Sequence, residues 1–176
     1  MAYLALALRL TVGGVCLAAL LGKLRGRQAW REFRSTLREV GVPDRMKSAV
    51  AVVLVAAEAS VFALAPWPYT GAVGALIAVG LFVALTAGVA NAVRRGSVAT
   101  CRCFGVRGTR LGITHITRNA VLIVVALAAV TTTTMATTEA WQAAGIAVAV
   151  VGAAFAAAIV VFWEDLAAVL VGRTVS

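Results

Sequence analysis

Long apolar stretches separated by short polar connectors dominate this chain. The stretches lie at about 2–22, 49–65, 71–92, 115–135 and 141–163. A bilayer-spanning helix needs about 20 predominantly apolar residues, and each stretch comes close to that length. The threonines that end the fourth stretch can bond back to helix carbonyls, so they are compatible with a span. We therefore predict an all-α fold, a polytopic transmembrane helix bundle of about five spans with a four-helix core.

The first connector, about 23–48, carries a second pattern. Its apolar residues recur at helical spacing, while its arginines fall on other faces; the apolar positions are Trp30, Phe33, Leu37 and Val40. This pattern predicts a short amphipathic helix lying in the lipid interface. The sequence Gly41-Val42-Pro43 is expected to end it.

Composition indicates one integral membrane domain over residues 1–176. Of the 176 residues, 62% are hydrophobic and only 13% are charged, which leaves no room for a separate soluble domain. The first span lacks a basic start and is followed by basic residues, the reverse of a secretory signal, so we expect it to be retained. The net charge of +9 comes largely from residues that flank spans. Such residues set topology, so we expect no nucleic-acid partner and expect membrane lipid instead.

The basic residues also predict an orientation in the cell membrane. The first connector holds eight basic residues and the third holds five, whereas the second and fourth hold none and the fourth carries Glu139. Cytoplasmic connectors carry the excess of Lys and Arg in multi-pass proteins. We therefore predict an external N-terminus and a cytoplasmic third connector.

The third connector holds the most informative motif, Cys101-Arg102-Cys103-Phe104-Gly105. Two thiols one residue apart can close a small, strained and therefore labile disulfide, which suits exchange. Positive charge from Arg102 and its neighbours favours the nucleophilic thiolate. Gly105 permits a tight turn and Phe104 can anchor the loop at the interface. The same pair could instead hold a soft metal, and the loop could also serve only to dock a partner.

Two further residues are candidates for thiol chemistry. Cys16 lies about 10 Å from the cytoplasmic end of the first span, in the same membrane half as the loop thiols. It is either a resolving thiol or a small packing residue. His115, at the start of the fourth span, is either a base for a thiol or an interfacial residue.

Polar residues within the spans complete the candidate set. Arg118 and Asn119 follow His115 at helical spacing and are expected to pin the thiol loop through its carbonyls. Glu58 lies deep in the second span, where an acid is a functional candidate by default. Its depth matches that of Arg9, so we predict an intramembrane ion pair between them, or else a proton carrier coupled to the thiols.

Together these residues resemble the MauE family, methylamine-utilisation membrane proteins related to the DoxX group. The resemblance covers about residues 5–130 and is carried by Gly22-Lys23-Leu24-Arg25, Glu58, Cys101-x-Cys103-Phe104-Gly105 and Arg118-Asn119. It implies thiol–disulfide traffic across the membrane. The name-giving members are associated with maturing the disulfide-rich small subunit of methylamine dehydrogenase beside a thioredoxin-like partner, MauD.

The resulting functional hypothesis is membrane thiol–disulfide exchange. Cys101 and Cys103 would form the redox pair and pass equivalents to a thioredoxin-fold partner. The rival hypotheses are a soft-metal carrier that uses the same thiols and a non-catalytic assembly factor. No nucleotide or haem motif is visible in the sequence, so we expect no cofactor.

Overall fold

The computed structural model describes residues 1–95, 113–135 and 142–163, together with the backbone of residues 100–101 and 109–110. Its helices are α1 (Ala2–Leu24), α2 (Arg27–Glu39), α3 (Lys47–Leu64), α4 (Gly71–Arg94), α5 (Ile113–Thr134) and α6 (Ala143–Val161). All but α2 are long and apolar enough to cross a membrane, which confirms the predicted polytopic helical bundle. Each span begins and ends within two residues of its predicted bounds.

The threonine run at the end of α5 is helical, as predicted. The hydroxyl of Thr132 donates to the carbonyl of Ala128 at 2.6 Å, and that of Thr134 donates to the carbonyl of Thr131 at 2.9 Å. These bonds pair the hydroxyls with carbonyls of the preceding turn. The polar run can therefore stay helical at the end of an apolar span.

The apolar core draws on all five long helices. Its buried members are Val12, Val15, Cys16, Val61, Ala78, Leu81, Phe82, Leu122, Ala126 and Ala157. The first four spans supply most of this core. Helix α6 contributes Ala157 and packs on α1, where Ala157 faces Gly14 and Gly145 faces Tyr3. Since both residue numbers rise together along this contact, α6 runs parallel to α1.

Helices α1 and α3 run antiparallel and meet at a glycine. A Cβ added to Gly13 would lie 2.9 Å from the Cβ of Ala65 and 3.7 Å from the Cα of Phe62. The absence of a side chain at Gly13 therefore allows the two backbones to approach closely, as small residues do in membrane helix pairs. This contact fixes the register of α1 against α3.

A Gly13→Ala substitution should therefore destabilise the bundle by about 1–3 kcal/mol, the usual cost of overpacking a tight contact. Thermal unfolding in detergent measures the loss. Gly80→Ala is the matched control, because a Cβ at Gly80 meets nothing within 4 Å. The control should be neutral or slightly stabilising, since Ala favours helix over Gly. Equal losses in the two variants would contradict the close contact.

The predicted amphipathic helix is present as α2. Phe33 and Leu37 are its buried residues, and they pack with Ala51 near the start of α3. Gly41 follows the helix with φ at +99°, a conformation that favours glycine. The amides of Gly41 and Val42 donate to the carbonyls of Arg38 and Leu37 at 3.0 and 2.9 Å, the hydrogen-bond pattern of a Schellman cap. The helix therefore ends where the sequence predicts.

A small two-stranded ribbon joins the α4 side of the bundle to α5. Strand β1 (Thr100–Cys101) pairs antiparallel with β2 (Thr109–Arg110), with Thr100 opposite Arg110 and Cys101 opposite Thr109. We call these two strands the thiol ribbon. Strand β1 lies against α2. The sequence predicts only a loop here, because strands of two residues are too short to produce an alternating pattern.

Candidate functional site

The structure describes part of the predicted thiol motif. The backbone of Cys101 lies in β1 of the thiol ribbon, beside α2. Arg102, Cys103, Phe104 and Gly105 lie outside the described residues. The roles given above to the two loop thiols and their neighbours therefore stay predictions.

Cys16 is a buried free thiol in the core of the bundle. Its side chain is 1% exposed and belongs to the same apolar cluster as Val12 and Leu122. It is also within electrostatic range of Glu58 and Lys23. Close apolar packing agrees with a structural role. Of the two nearby charges, only the Lys23 ammonium group would favour a thiolate. A resolving role for Cys16 stays a hypothesis.

Glu58 forms a buried ion pair with Lys23, which the sequence analysis did not predict. The Lys23 Nζ donates to the Glu58 Oε1, and both side chains are only 3% exposed. The predicted pairing of Glu58 with Arg9 is therefore wrong. Arg9 is itself buried, and its Nη1 donates to the carbonyl oxygens of Trp67 at 3.1 Å and Pro68 at 3.5 Å.

The register of α1 against α3 explains why Glu58 pairs with Lys23 and not with Arg9. The predicted match in depth between Arg9 and Glu58 requires the end of α1 to lie level with the start of α3. With Gly13 opposite Ala65, Arg9 falls one turn further along and reaches the turn after α3 instead of Glu58. Lys23 lies ten residues beyond Gly13, or about 15 Å at 1.5 Å per residue. That position brings its long side chain within reach of Glu58.

Helix α2 covers the ion pair with an aromatic ring. The Lys23 Nζ lies 5.0 Å from the centroid of the Phe33 ring, within the range of a cation–π interaction. The Phe33 ring in turn lies 5.8 Å, centroid to centroid, from that of Trp30. The buried pair therefore joins three elements: α1 supplies Lys23, α3 supplies Glu58 and α2 supplies Phe33.

The predicted polar residues at the start of α5 all point into the bundle. His115, Arg118 and Asn119 are 3%, 5% and 4% exposed. They continue the buried stripe of α5 that also contains Leu122, since these positions are three or four residues apart along a helix. Helix α5 begins three residues after β2 and the stripe begins in its first turn, so these side chains lie at the end of the bundle that bears the thiol ribbon.

The connector that leads into α3 carries a surface charge cluster. Asp44 accepts from the Lys47 ammonium group, and its Oδ1 lies 3.0 Å from the Arg38 Nη2. The hydrogen bond from Lys47, followed by that from Arg38, holds the pKa of the Asp44 carboxyl below its ordinary value. Asn91 of α4 also binds this region, since its Nδ2 donates to the Val40 carbonyl at 3.1 Å. The Asn91 bond fastens the α2–α3 connector to α4.

Sequence reasoning missed Lys23 and Phe33 as members of the site. The signal for Lys23 was present, because it follows Cys16 by seven residues and so lies on the same face of α1. Phe33 stood only as an apolar position of an interfacial helix. Among the described side chains, no three His, Cys, Asp or Glu residues are grouped so that they could hold a metal ion.

Comparison with known proteins agrees with the family resemblance. The family model described as methylamine utilisation protein MauE matches residues 1–132, which include α1 to α5 apart from the last two residues of α5, together with the thiol ribbon. The chain belongs to the MauE family. Membership and the five span-length helices together make this MauE-family chain a multi-pass membrane protein. No curated protein and no solved structure gave a match.

Proposed function

We propose that this MauE-family protein performs thiol–disulfide exchange at the membrane in methylamine utilisation, with Cys101 and Cys103 as its redox pair. The observation that supports this most is the placement of Cys101 in a basic connector, on a short ribbon packed against α2. Two thiols one residue apart, in a connector outside the apolar spans, suit exchange with a protein partner. Family membership points to the same pathway.

The exchange moves two electrons and two protons. The Cys101 thiolate attacks one sulfur of a disulfide in a thioredoxin-fold partner of the MauD kind, and the other partner sulfur leaves as a thiolate. Cys103 then attacks the mixed disulfide, so a Cys101–Cys103 bond forms as the partner becomes a dithiol. The reverse sequence reduces the loop and oxidises the partner. Strain in the small Cys-x-Cys ring keeps its disulfide labile in both directions.

The remaining site residues have supporting roles in this proposal. His115 accepts the proton of the attacking thiol, and Arg118 and Asn119 fix the ribbon end of α5. All three are buried at the end of the bundle that carries the ribbon. Arg102 and the other basic residues of the connector favour the thiolate form. Cys16 is the candidate for a resolving thiol inside the bundle.

A redox titration of the purified protein tests the proposal against metal carriage. In glutathione buffers, the Cys101–Cys103 pair of a Cys16→Ser variant should be oxidised reversibly with a two-electron slope. The redox state of the pair is measured by alkylating the free thiols and determining the mass of the protein. The same preparation should contain substoichiometric copper and zinc. A stoichiometric soft metal bound to the two thiols, with no reversible titration, would replace exchange with the metal-carrier function.

The proposed orientation places the thiol ribbon in the cytoplasm, and labelling of intact cells tests it. A membrane-impermeant maleimide should leave Cys101 and Cys103 unmodified until the cells are permeabilised, because eight and five basic residues flank the cytoplasmic ends of the spans. A cysteine placed at Tyr69, which is 93% exposed in the turn between α3 and α4, is the external control and should react at once. The reverse labelling pattern would invert the topology and the assumed electron source.

A further inference from the structure

Only one of the two carboxylate oxygens in the buried ion pair is hydrogen-bonded within the described residues. Glu58 has its Oε1 on the Lys23 ammonium group, while its Oε2 is buried without a hydrogen-bond partner among the described residues. Among the described residues, the hydrogen bond from Lys23 is therefore what compensates for burying the Glu58 carboxylate. The position of the Lys23 ammonium group is in turn fixed by Glu58 beneath it.

The upper side of Lys23 faces an aromatic ring of a different element. Its Nζ lies 5.0 Å from the Phe33 centroid, and both side chains are buried. A cation over an aromatic face is attracted by the ring quadrupole, and more strongly when both groups are removed from water. The contact therefore attaches α2 to the end of α1 through the Lys23 ammonium group, whose position is set by Glu58 of α3.

Helix α2 carries this attachment to the thiol ribbon. Its buried side chains pack on the first turns of α3, and the same helix lies against β1, the strand that contains Cys101. A path thus leads from Glu58 to Lys23, then to Phe33, and through α2 to β1, the strand that contains Cys101. Each step of this path lies within the described part of the chain.

We infer that Glu58 is a positioning residue for the thiol ribbon, acting through the Lys23 ammonium group and the Phe33 ring to hold α2 against the strand that carries Cys101. This inference rests on the proposed function for its consequence, since the position of Cys101 matters when Cys101 exchanges disulfides. The cation–π contact itself is a property of the fold. When it is lost, α2 loosens and the strand is more often open to a reagent.

The alkylation rate of Cys101 measures this directly. The parent is the full chain in lipid nanodiscs with Cys16→Ser and Cys103→Ser, so that Cys101 is the single thiol, and the probe is N-ethylmaleimide. Phe33→Leu keeps an apolar side chain but removes the ring, and should raise the alkylation rate about fivefold. Phe33→Tyr keeps the ring face and should react at the parental rate.

A charge swap separates positioning from simple stabilisation. Lys23→Glu combined with Glu58→Lys restores the ion pair but places a carboxylate, not an ammonium group, under Phe33. Its melting temperature should therefore recover relative to either single variant, while Cys101 alkylation stays about fivefold fast. Lys23→Arg keeps both the ion pair and the cation under the ring, so it should keep the parental rate.

Parental alkylation rates in both Phe33→Leu and the folded charge swap would overturn the inference. If the swapped protein does not fold, the Phe33→Leu and Phe33→Tyr pair decides alone, because neither change touches a charge. Failure of the proposed function has a different signature. In that case the Cys101–Cys103 pair would not titrate in glutathione buffers, whereas the single-thiol rates would still report the coupling between α2 and β1.

Discussion

Replacing Lys23 by Met is expected to lower the free energy of unfolding by about 3–5 kcal/mol. The substitution leaves the Glu58 carboxylate buried at 3% exposure with its partner removed, and an uncompensated buried charge is costly. Met has nearly the length of Lys, so the loss of packing should be small. Unfolding of the purified protein in mixed micelles with increasing fractions of sodium dodecyl sulfate measures the change.

Two controls separate charge burial from a general loss of stability. Lys23→Met combined with Glu58→Leu removes both charges and should recover most of the loss, because apolar replacement of a buried pair is often neutral. Arg38→Gln breaks an ion pair whose side chains are 69% and 70% exposed, and should leave unfolding unchanged. A Lys23→Met loss as small as that of Arg38→Gln would contradict the buried pair.

Unfolding of a double variant also distinguishes separate Arg9 and Glu58 sites from a direct Arg9–Glu58 pair. Arg9 bonds to the carbonyls of the turn that follows α3, and Lys23 bonds to Glu58 within that helix, so the two sites share no partner. Distant sites of this kind have nearly additive effects on stability. Arg9→Gln and Glu58→Gln should therefore give additive losses in the double variant, whereas a direct pair would show recovery.

Loss of either loop thiol is expected to have the largest effect on function. Cys101→Ser or Cys103→Ser should each abolish disulfide exchange with a thioredoxin-fold partner, because the reaction needs one thiol to attack and another to resolve. Insertion and thermal stability should stay at the parental level, since both residues lie in the connector between α4 and α5 and not in a span. Exchange is followed by the redox state of the partner on non-reducing gels.

Cys16→Ser is the matched control for these two variants. A resolving role for Cys16 predicts that intermediates accumulate, whereas a packing role predicts near-normal turnover with some loss of stability, because Cys16 is 1% exposed in the core. Full activity of both loop serine variants in cells would show that the thiol pair is dispensable. The assembly-factor function would then replace exchange.

The sequence was sufficient for the architecture because span length and apolar content are local properties. The five spans and α2 follow from such runs, from helical periodicity and from Gly41, each of which can be recognised without knowing its neighbours in space. The partner of Glu58 could not be found in this way. That choice depends on the register of α1 against α3, which is set by the fit of Gly13 against Ala65.

The site shows the same division between local and spatial information. His115, Arg118 and Asn119 could be selected from their spacing at the start of a span, and all three are buried in the structure. Phe33 could not be recognised as a partner of a charge, because its ring meets Lys23 only after α2 folds back on the bundle. Contacts between elements that are distant in sequence are what periodicity cannot supply.

Trapping of the covalent intermediate is the decisive test of disulfide exchange by Cys101 and Cys103. Membranes containing Cys103→Ser, in which Cys101 stays as the attacking thiol, are mixed with an oxidised thioredoxin-fold partner and analysed without reductant. A mixed disulfide that disappears with dithiothreitol should form with Cys103→Ser and not with a Cys101→Ser, Cys103→Ser double variant. Failure of both single-thiol variants to form any adduct beyond that of the double variant would contradict the claim.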